Sequence, residues 1–481
     1  MKHLLLLPSL LLLTTVAVAQ LYVAPNTSGT PSDSYIYVND EILYVEQDVN
    51  LVENVVDPDT NASIYLRNDG QLIQGSNVNN AGSGYLSVLR DNPDSDAWDY
   101  TFYASPVGDN FSAPAAGPGN INFGIMSLHT PTYNPLATDY SAPLSATAAD
   151  QTQITGAREG NFDTAANELT ISTRWTYTRD SGHESAWERI YANNLTPAGR
   201  GFIMKGVNRD GAPSTHDFVY DFRGRPNNGT INLTVAPLNG PHPQSLTNEV
   251  FQEILTGNPY PSALDLNRLF YDTSSTDLTG TNNNSEIESV LYWDEDRSVN
   301  SHLYTDNKGG FGIWTPGPSD PNGTNQGNYV RPVFLNYEPG GIPISATSGM
   351  GPAIDRRFAP VGQGFYFRTR NTQLGDLTAF QVSIKNQYRR YIKESSGDST
   401  FRMAGTENNT PFQSHTPIPT EPNELVFPQM RIYTYFNESH FRDMLLVFSN
   451  QATDFYDWGW DGYHQMDAVG AEAYFPVDVN G

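Results

Sequence analysis

The chain has 481 residues, no cysteine, and a formal net charge of −26 from 53 acidic against 27 basic side chains. Without cysteine it has no disulfides, thiolate zinc sites, cysteine nucleophiles or lipid-modified cysteine anchor, and the acidic excess repels phosphate, which excludes nucleic acid as a partner. Only 17% of residues are charged, while 40 are Gly and 33 are Pro; this composition suits many short strands joined by tight turns, because Gly and Asn accept positive φ and Pro presets a negative one.

Residues 1–19 read as a secretory signal peptide. Met1-Lys2-His3 is a positive start, Leu4 to Val16 is an apolar run broken only at Pro8, Ser9, Thr14 and Thr15, and Ala17-Val18-Ala19 before Gln20 is a small-residue cleavage site. The apolar run falls short of the ~20 residues needed to cross a bilayer. The signal peptide places the mature chain, by expectation, outside the cell or on its outer surface, and no later stretch is apolar enough to span a membrane as a helix.

Residues 20–96 form an N-terminal β-region. Tyr35-Ile36-Tyr37-Val38, Ile42-Leu43-Tyr44-Val45, Ala62-Ser63-Ile64-Tyr65-Leu66 and Gln71-Leu72-Ile73 alternate apolar and polar residues between turn signals. That pattern predicts meandering antiparallel strands, and a short β-solenoid or sandwich edge would give the same one.

A first β-module covers 97–248, with an inserted loop at about 110–160 that is rich in Pro, Ala, Thr and Ser. Phe218 to Val235 predicts a hairpin, since Asn228-Gly229 lies between two alternating runs. Asn322-Gly323 is a weaker signal of the same kind.

A second module over 249–400 repeats the order of the first. Tyr103-Ala104-Ser105-Pro106-Val107-Gly108, Trp175, Gly199-Arg200-Gly201-Phe202 and Phe218 to Phe222 are echoed by Gly257-Asn258-Pro259-Tyr260-Pro261-Ser262, Trp293, Gly362-Gln363-Gly364-Phe365 and Phe380 to Ile384. One short helix is predicted at Ser262 to Phe270. Residues 401–481 begin a further β-domain, expected to be incomplete where the sequence stops at Gly481. The predicted fold is mainly β: tandem antiparallel β-sandwich-like modules with long loops and little helix.

Several segments in this order resemble large exported proteins of Bacteroidota that use the type IX secretion route. They are Tyr65 to Gly75, Trp98-Asp99-Tyr100-Thr101-Phe102 with Ser105-Pro106-Val107-Gly108, Phe222 to Gly229, Gly257 to Asp265, and Asp457-Trp458-Gly459-Trp460-Asp461. Members of that group usually continue into a C-terminal sorting domain; this sequence stops at Gly481 before one, so it is expected either to be a fragment or to lack the sorting signal. The resemblance implies a cell-surface or extracellular, non-enzymatic protein with an adhesive or structural role, and it carries no catalytic residues.

The chemistry legible in the residues is sparse. There is no Gly-x-Ser-x-Gly and no His-Glu-x-x-His. Carboxylates flank tryptophans at Asp94/Asp96 with Trp98, Asp294/Asp296 with Trp293, and Asp457/Asp461 with Trp458 and Trp460. A glycosidase needs two such groups across a cleft, but turns in an acidic β-protein use the same residues. No resident cofactor is implied, and calcium is the one ion with ligands on offer. Asp57, Asp59 and Asn61 alternate oxygen donors and Asp94 with Asp96 offers a second set, while Asx turns that hydrogen-bond their own backbone are the favoured account of both. Trp458, Trp460 and Tyr463 would make a platform for sugar rings, though core packing is the commoner use of such aromatics in a sandwich. The sequence therefore predicts a non-enzymatic secreted or cell-surface β-protein, with extracellular glycans or other surface proteins as partners. Its alternatives are a carbohydrate-binding surface protein assisted by calcium and, less favoured, a polysaccharide-degrading enzyme.

Overall fold

The computed structural model describes residues 20–25, 35–53, 62–92, 95–109, 118–129, 153–156, 161–163, 168–179, 187–207, 219–235, 253–272, 287–302, 306–318, 325–338, 342–369, 380–401, 429–436 and 440–448. The fold is mainly β, with several separate sheets. A single short α-helix is present among the described residues.

The chain begins as coils of a parallel solenoid. Its strands are β1 (Leu21–Val23), β2 (Ile36–Asn39), β3 (Ile42–Val45), β4 (Val49–Leu51), β5 (Ala62–Arg67), β6 (Gln71–Gln74), β7 (Ala81–Gly82) and β8 (Tyr85–Asp91). β4 lies between β1 and β7, β5 between β2 and β8, and β3 beside β6, every pair parallel. The antiparallel meander expected here is thus overturned in favour of the solenoid. Alternation specifies a pleated strand but not its direction, and each strand here pairs one whole coil along the chain.

The corners explain the geometry. Asp40 and Asn68 follow β2 and β5 with φ of 56° and 51°, a left-handed conformation that Asn and Asp tolerate best among residues with a Cβ. Inside, Val38, Leu66 and Val88 stack with Val45, Leu72, Val49 and Leu51. Gln74 and Asn80, both buried, close the coil by exchanging side-chain hydrogen bonds of 2.8 and 2.9 Å.

Past the solenoid come β9 (Tyr100–Ala104), β10 (Val107–Gly108), β11 (Phe123–Gly124), β12 (Leu128–His129), β13 (Gln153–Thr155), β14 (Asn161–Asp163), β15 (Glu168–Ser172), β16 (Thr176–Arg179), β17 (Trp187–Arg189), β18 (Leu195–Thr196), β19 (Gly201–Lys205) and β20 (Val219–Pro226). The antiparallel order is β17-β16-β19-β9. β20 returns to pair antiparallel with β8, so the solenoid wall and the first module share one sheet. Part of the expected 110–160 loop is core: β11 pairs with β18, and Phe123, Ile125 and Leu128 are buried among Phe202 and Phe222.

The remaining strands are β21 (Ile231–Val235), β22 (Glu253–Gly257), β23 (Ala263–Asp265), then helix α1 (Leu266–Phe270), β24 (Ile287–Glu295), β25 (Lys308–Thr315), β26 (Asn328–Val330), β27 (Val333–Glu338), β28 (Ile342–Met350), β29 (Phe358–Ala359), β30 (Gly364–Thr369), β31 (Phe380–Ile384), β32 (Arg389–Arg390), β33 (Gln429–Phe436) and β34 (His440–Val447). Here the order is β22-β30-β24-β25-β27-β28. The path β9-β19-β16-β17 therefore recurs as β22-β30-β24-β25, the pairing β11 with β18 recurs as β23 with β29, and β8 with β20 recurs as β21 with β31. Gly201 opposite Ala104 has its counterpart in Gly364 opposite Gly257.

Two expectations fail on this topology. β20 and β21 do not form a hairpin with each other; each pairs within its own half, and Asn227-Asn228-Gly229 is the buried crossover between halves. The tryptophans are also out of step. With Ile203 opposite Tyr177 and Tyr366 opposite Leu291, Trp293 takes the place of Arg179, while Trp175 lies in a 3-10 turn before β16. The helix starts at Leu266 instead of Ser262, because the Asp265 carboxylate accepts from the amides of Asn267 and Arg268 as an N-cap.

The two halves pack face to face. β9 lies against β24 and β30, and β22 lies against β19 and β16. Two isolated antiparallel bridges, Tyr103 with Gln363 and Thr256 with Arg200, occupy matching positions on either side of this seam. The segment 389–401 then straps the halves to the solenoid: Lys393 Nζ reaches Asp40 at 2.8 Å, Glu394 N reaches Asp69 at 2.8 Å, and Arg90 forms an ion pair with Glu394.

Candidate functional site

The seam presents half-buried aromatic rings at one end. Alternation along β9 and β19 places Tyr100, Phe102, Ile203 and Lys205 on the face turned to the second half, while Tyr103, Phe202 and Met204 enter the first core. Lys205 Nζ is buried 4.8 Å from the ring centres of both Tyr100 and Trp175. Such cation–π contacts stabilise a desolvated ammonium. The His302 ring stacks on Trp175 at 4.7 Å and lies 4.4 Å from Trp98. From the other half, Glu295 Oε1 accepts from Trp293 Nε1 at 2.7 Å and from the Tyr100 amide at 3.3 Å. Burial, with the charges of Tyr177 and Glu295, drives the Tyr100 hydroxyl well above the usual phenol range.

At the matching positions of the second half the chemistry is ionic. Glu253 stands where the first half has Tyr100, and Arg368 where it has Lys205; Arg368 Nε donates to Glu253 at 2.8 Å. Arg179 of the first half completes the group, its guanidinium 3.6 Å from Glu253 and 5.2 Å from the centre of the Tyr366 ring. One end of the seam is thus an aromatic cage and the other a buried ion cluster.

A second polar group occupies the outer face of β5, β8 and β20. Ser87 Oγ donates to Asp221 at 2.6 Å, Arg223 Nε donates to the other carboxylate oxygen at 2.7 Å, and Arg67 donates to Ser87 Oγ at 2.9 Å. Burial alone would raise the Asp221 carboxyl; the guanidiniums of Arg223 and Arg67 and the Ser87 hydroxyl overcome it and hold the group below its ordinary value. His129, opposite Asp221 on β12, is pushed down to about 4 by burial and by Arg223.

The residues singled out by sequence divide sharply. Asp57, Asp59, Asn61, Asp94, Trp458, Trp460, Tyr463, Ala17 and Ala19 lie outside the described residues. Gln20 is exposed and donates to Asp48. Asp96 is a turn residue whose Oδ1 accepts from the amides of Trp98 and Asp99 at 2.8 and 3.2 Å. Asp296 likewise accepts from the Ser298 amide and hydroxyl, and Asp294 accepts from the Glu295 amide. Their neighbouring tryptophans, read separately in the sequence, converge: the segments around Trp98 and Trp293 meet at the Tyr100–Glu295 contact. Among the described residues, no group of three or more His, Asp or Glu side chains could hold a metal ion. Sequence reasoning missed Lys205, Glu295 and His302: Lys205 is a single basic residue in an apolar strand, Glu295 is one of three successive carboxylates, and His302 is a lone histidine beyond the end of β24, so none carries a motif.

These features define a mainly β protein of two face-packed halves on a parallel solenoid. The chain belongs to the family described as Domain of unknown function (DUF8693), whose model matches residues 157–474. No curated protein and no solved structure matches it.

Proposed function

We propose that this is an exported, non-catalytic β-scaffold of the outer cell surface or extracellular space, with an adhesive or structural role. The observation that carries the reading is how its buried charges are used. Arg368 with Glu253, Arg357 with Asp265 and Arg90 with Glu394 each tie together segments far apart in sequence, and Asp221, paired with Arg223 on its own strand, is bonded across to Ser87 on β8. Charge spent in this way stiffens a support. The signal peptide supplies export, and the resemblance suggests the type IX route. The test is fractionation and surface proteolysis of cells making the protein, paired with attachment assays on a deletion strain. Cleavage in intact cells with reduced attachment supports the reading, and retention inside the cell overturns it.

A second reading, carbohydrate binding, is favoured by the half-buried rings of Trp98, Trp175 and Trp293 at the seam, since aromatic faces stack on sugar rings. A glycan array with and without chelator tests it and the calcium contribution together. Binding that is lost in Trp98→Ala and Trp175→Ala supports this reading, and no binding to any glycan removes it. Release of reducing sugar from a polysaccharide would instead restore an enzymatic role.

A further inference from the structure

Residues 20–66 contain eight acidic side chains and no Lys, Arg or His. Within that stretch β3 is a four-residue strand whose one described strand partner is β6. Leu43 and Val45 turn inward, whereas Ile42 and Tyr44 are 42% and 55% exposed. Exposed Glu41 and Glu46 bracket the strand, and Glu46 is kept ionised by hydrogen bonds from Tyr44 and Ser76.

An edge strand offers backbone donors and acceptors to another extended chain, and outward side chains on alternate positions select which chain binds. From this arrangement we infer that β3 is a docking edge for a basic, extended peptide segment of a partner protein, which adds as a strand beside it. Lysine or arginine on the incoming strand would meet Glu41 and Glu46, and its apolar residues would cover Ile42 and Tyr44. Charge decides against a second copy of this chain as the occupant, because two such strands would bring their glutamates together on molecules that each carry −26. The inference is independent of the proposed adhesive role.

The test is calorimetric titration of the whole protein with a ten-residue peptide alternating Lys with Val. Three comparisons accompany it: the same peptide with Glu for Lys, the Lys peptide N-methylated along one edge, and the Glu41→Lys/Glu46→Lys variant, checked for folding by circular dichroism. Binding of the Lys peptide, weakened at least tenfold in all three comparisons and accompanied by slowed amide exchange in β3, is the expected result. Equal binding by the double-Lys variant would show general attraction to an acidic surface and overturn the inference. So would equal binding of the methylated peptide, or dimerisation of the unmodified protein through β3.

Discussion

Gly364 of the second half meets the backbone of Tyr103 in the first so closely that a Cβ at Gly364 would stand 2.5 Å from the Tyr103 nitrogen. The reciprocal contact is equally tight, since a Cβ at Gly201 would stand 2.5 Å from the Thr256 carbonyl oxygen. Two strand pairs cross here with backbone against backbone, and only glycine fits at either crossing point. Gly364→Ala and Gly201→Ala are each expected to lower stability by about 2–3 kcal/mol through overpacking. The double variant should cost less than their sum, because both act on one crossing. Urea denaturation of the three variants measures this directly.

Asp221 is buried and bonded to Arg223 and Ser87, so Asp221→Asn removes the carboxylate that pairs with the Arg223 guanidinium. A loss of about 3–5 kcal/mol is expected, the usual consequence of breaking a buried pair from one side. The lowered carboxyl adds stability that is present above the ordinary aspartate range and lost as pH falls through the folded value. The variant should therefore show a shallower acid limb in a plot of stability against pH.

His129 acts in the same direction by the opposite chemistry. Its ring is neutral when folded down to pH about 4 but takes a proton near 6.5 when unfolded. The unfolded chain thus binds the extra proton between those values, and stability falls as pH drops across that window, by at most about 1.4 kcal/mol per pH unit. His129→Gln is expected to flatten this part of the profile and leave the region above pH 7 unchanged. Denaturation midpoints at half-unit steps of pH provide the check.

Asn228 holds the crossover between halves. Its Nδ2 donates to the carbonyls of Ser76 and Val78, and its Oδ1 accepts from Asn386 at 2.7 Å and Arg389 at 3.1 Å. Asn228→Ala strands several buried polar groups and should cost about 3 kcal/mol, whereas an exposed turn asparagine would cost a few tenths. Thermal unfolding of Asn228→Ala beside Asn194→Ala, a variant at an exposed turn, separates the two cases.

The same residue shows where sequence reading reaches its limit. Asn228-Gly229 between alternating runs has the local chemistry of a hairpin, and Gly229 does adopt a φ of 80°. Yet the strands on either side are claimed by β8 and β31, partners far away in the chain. Local preference set the turn; long-range pairing set where it led. For the same reason strands at Tyr35–Val38 and Ile42–Val45 were legible but their parallel stacking was not, because a period of two is indifferent to direction.

The mainly β character was legible because alternation and turn residues act locally. Of the candidate site, the tryptophan-bearing segments could be found, but their meeting could not. Trp98 and Trp293 are joined through Glu295 and the Tyr100 amide only after two sheets stack. Lys205 illustrates the rest: its cage of Tyr100 and Trp175 draws on β9 and the turn before β16, which no short motif connects.

Native-state hydrogen exchange on the backbone amides of β9, β19, β22 and β30 is the most direct test of the interlocked scaffold. Because the two strand pairs cover one another at the seam, their slowest amides should open with a common free energy and respond together to Gly364→Ala. If β22 and β30 exchange through an opening of their own, while β9 and β19 stay protected, the halves are independent and the account of a single braced body fails.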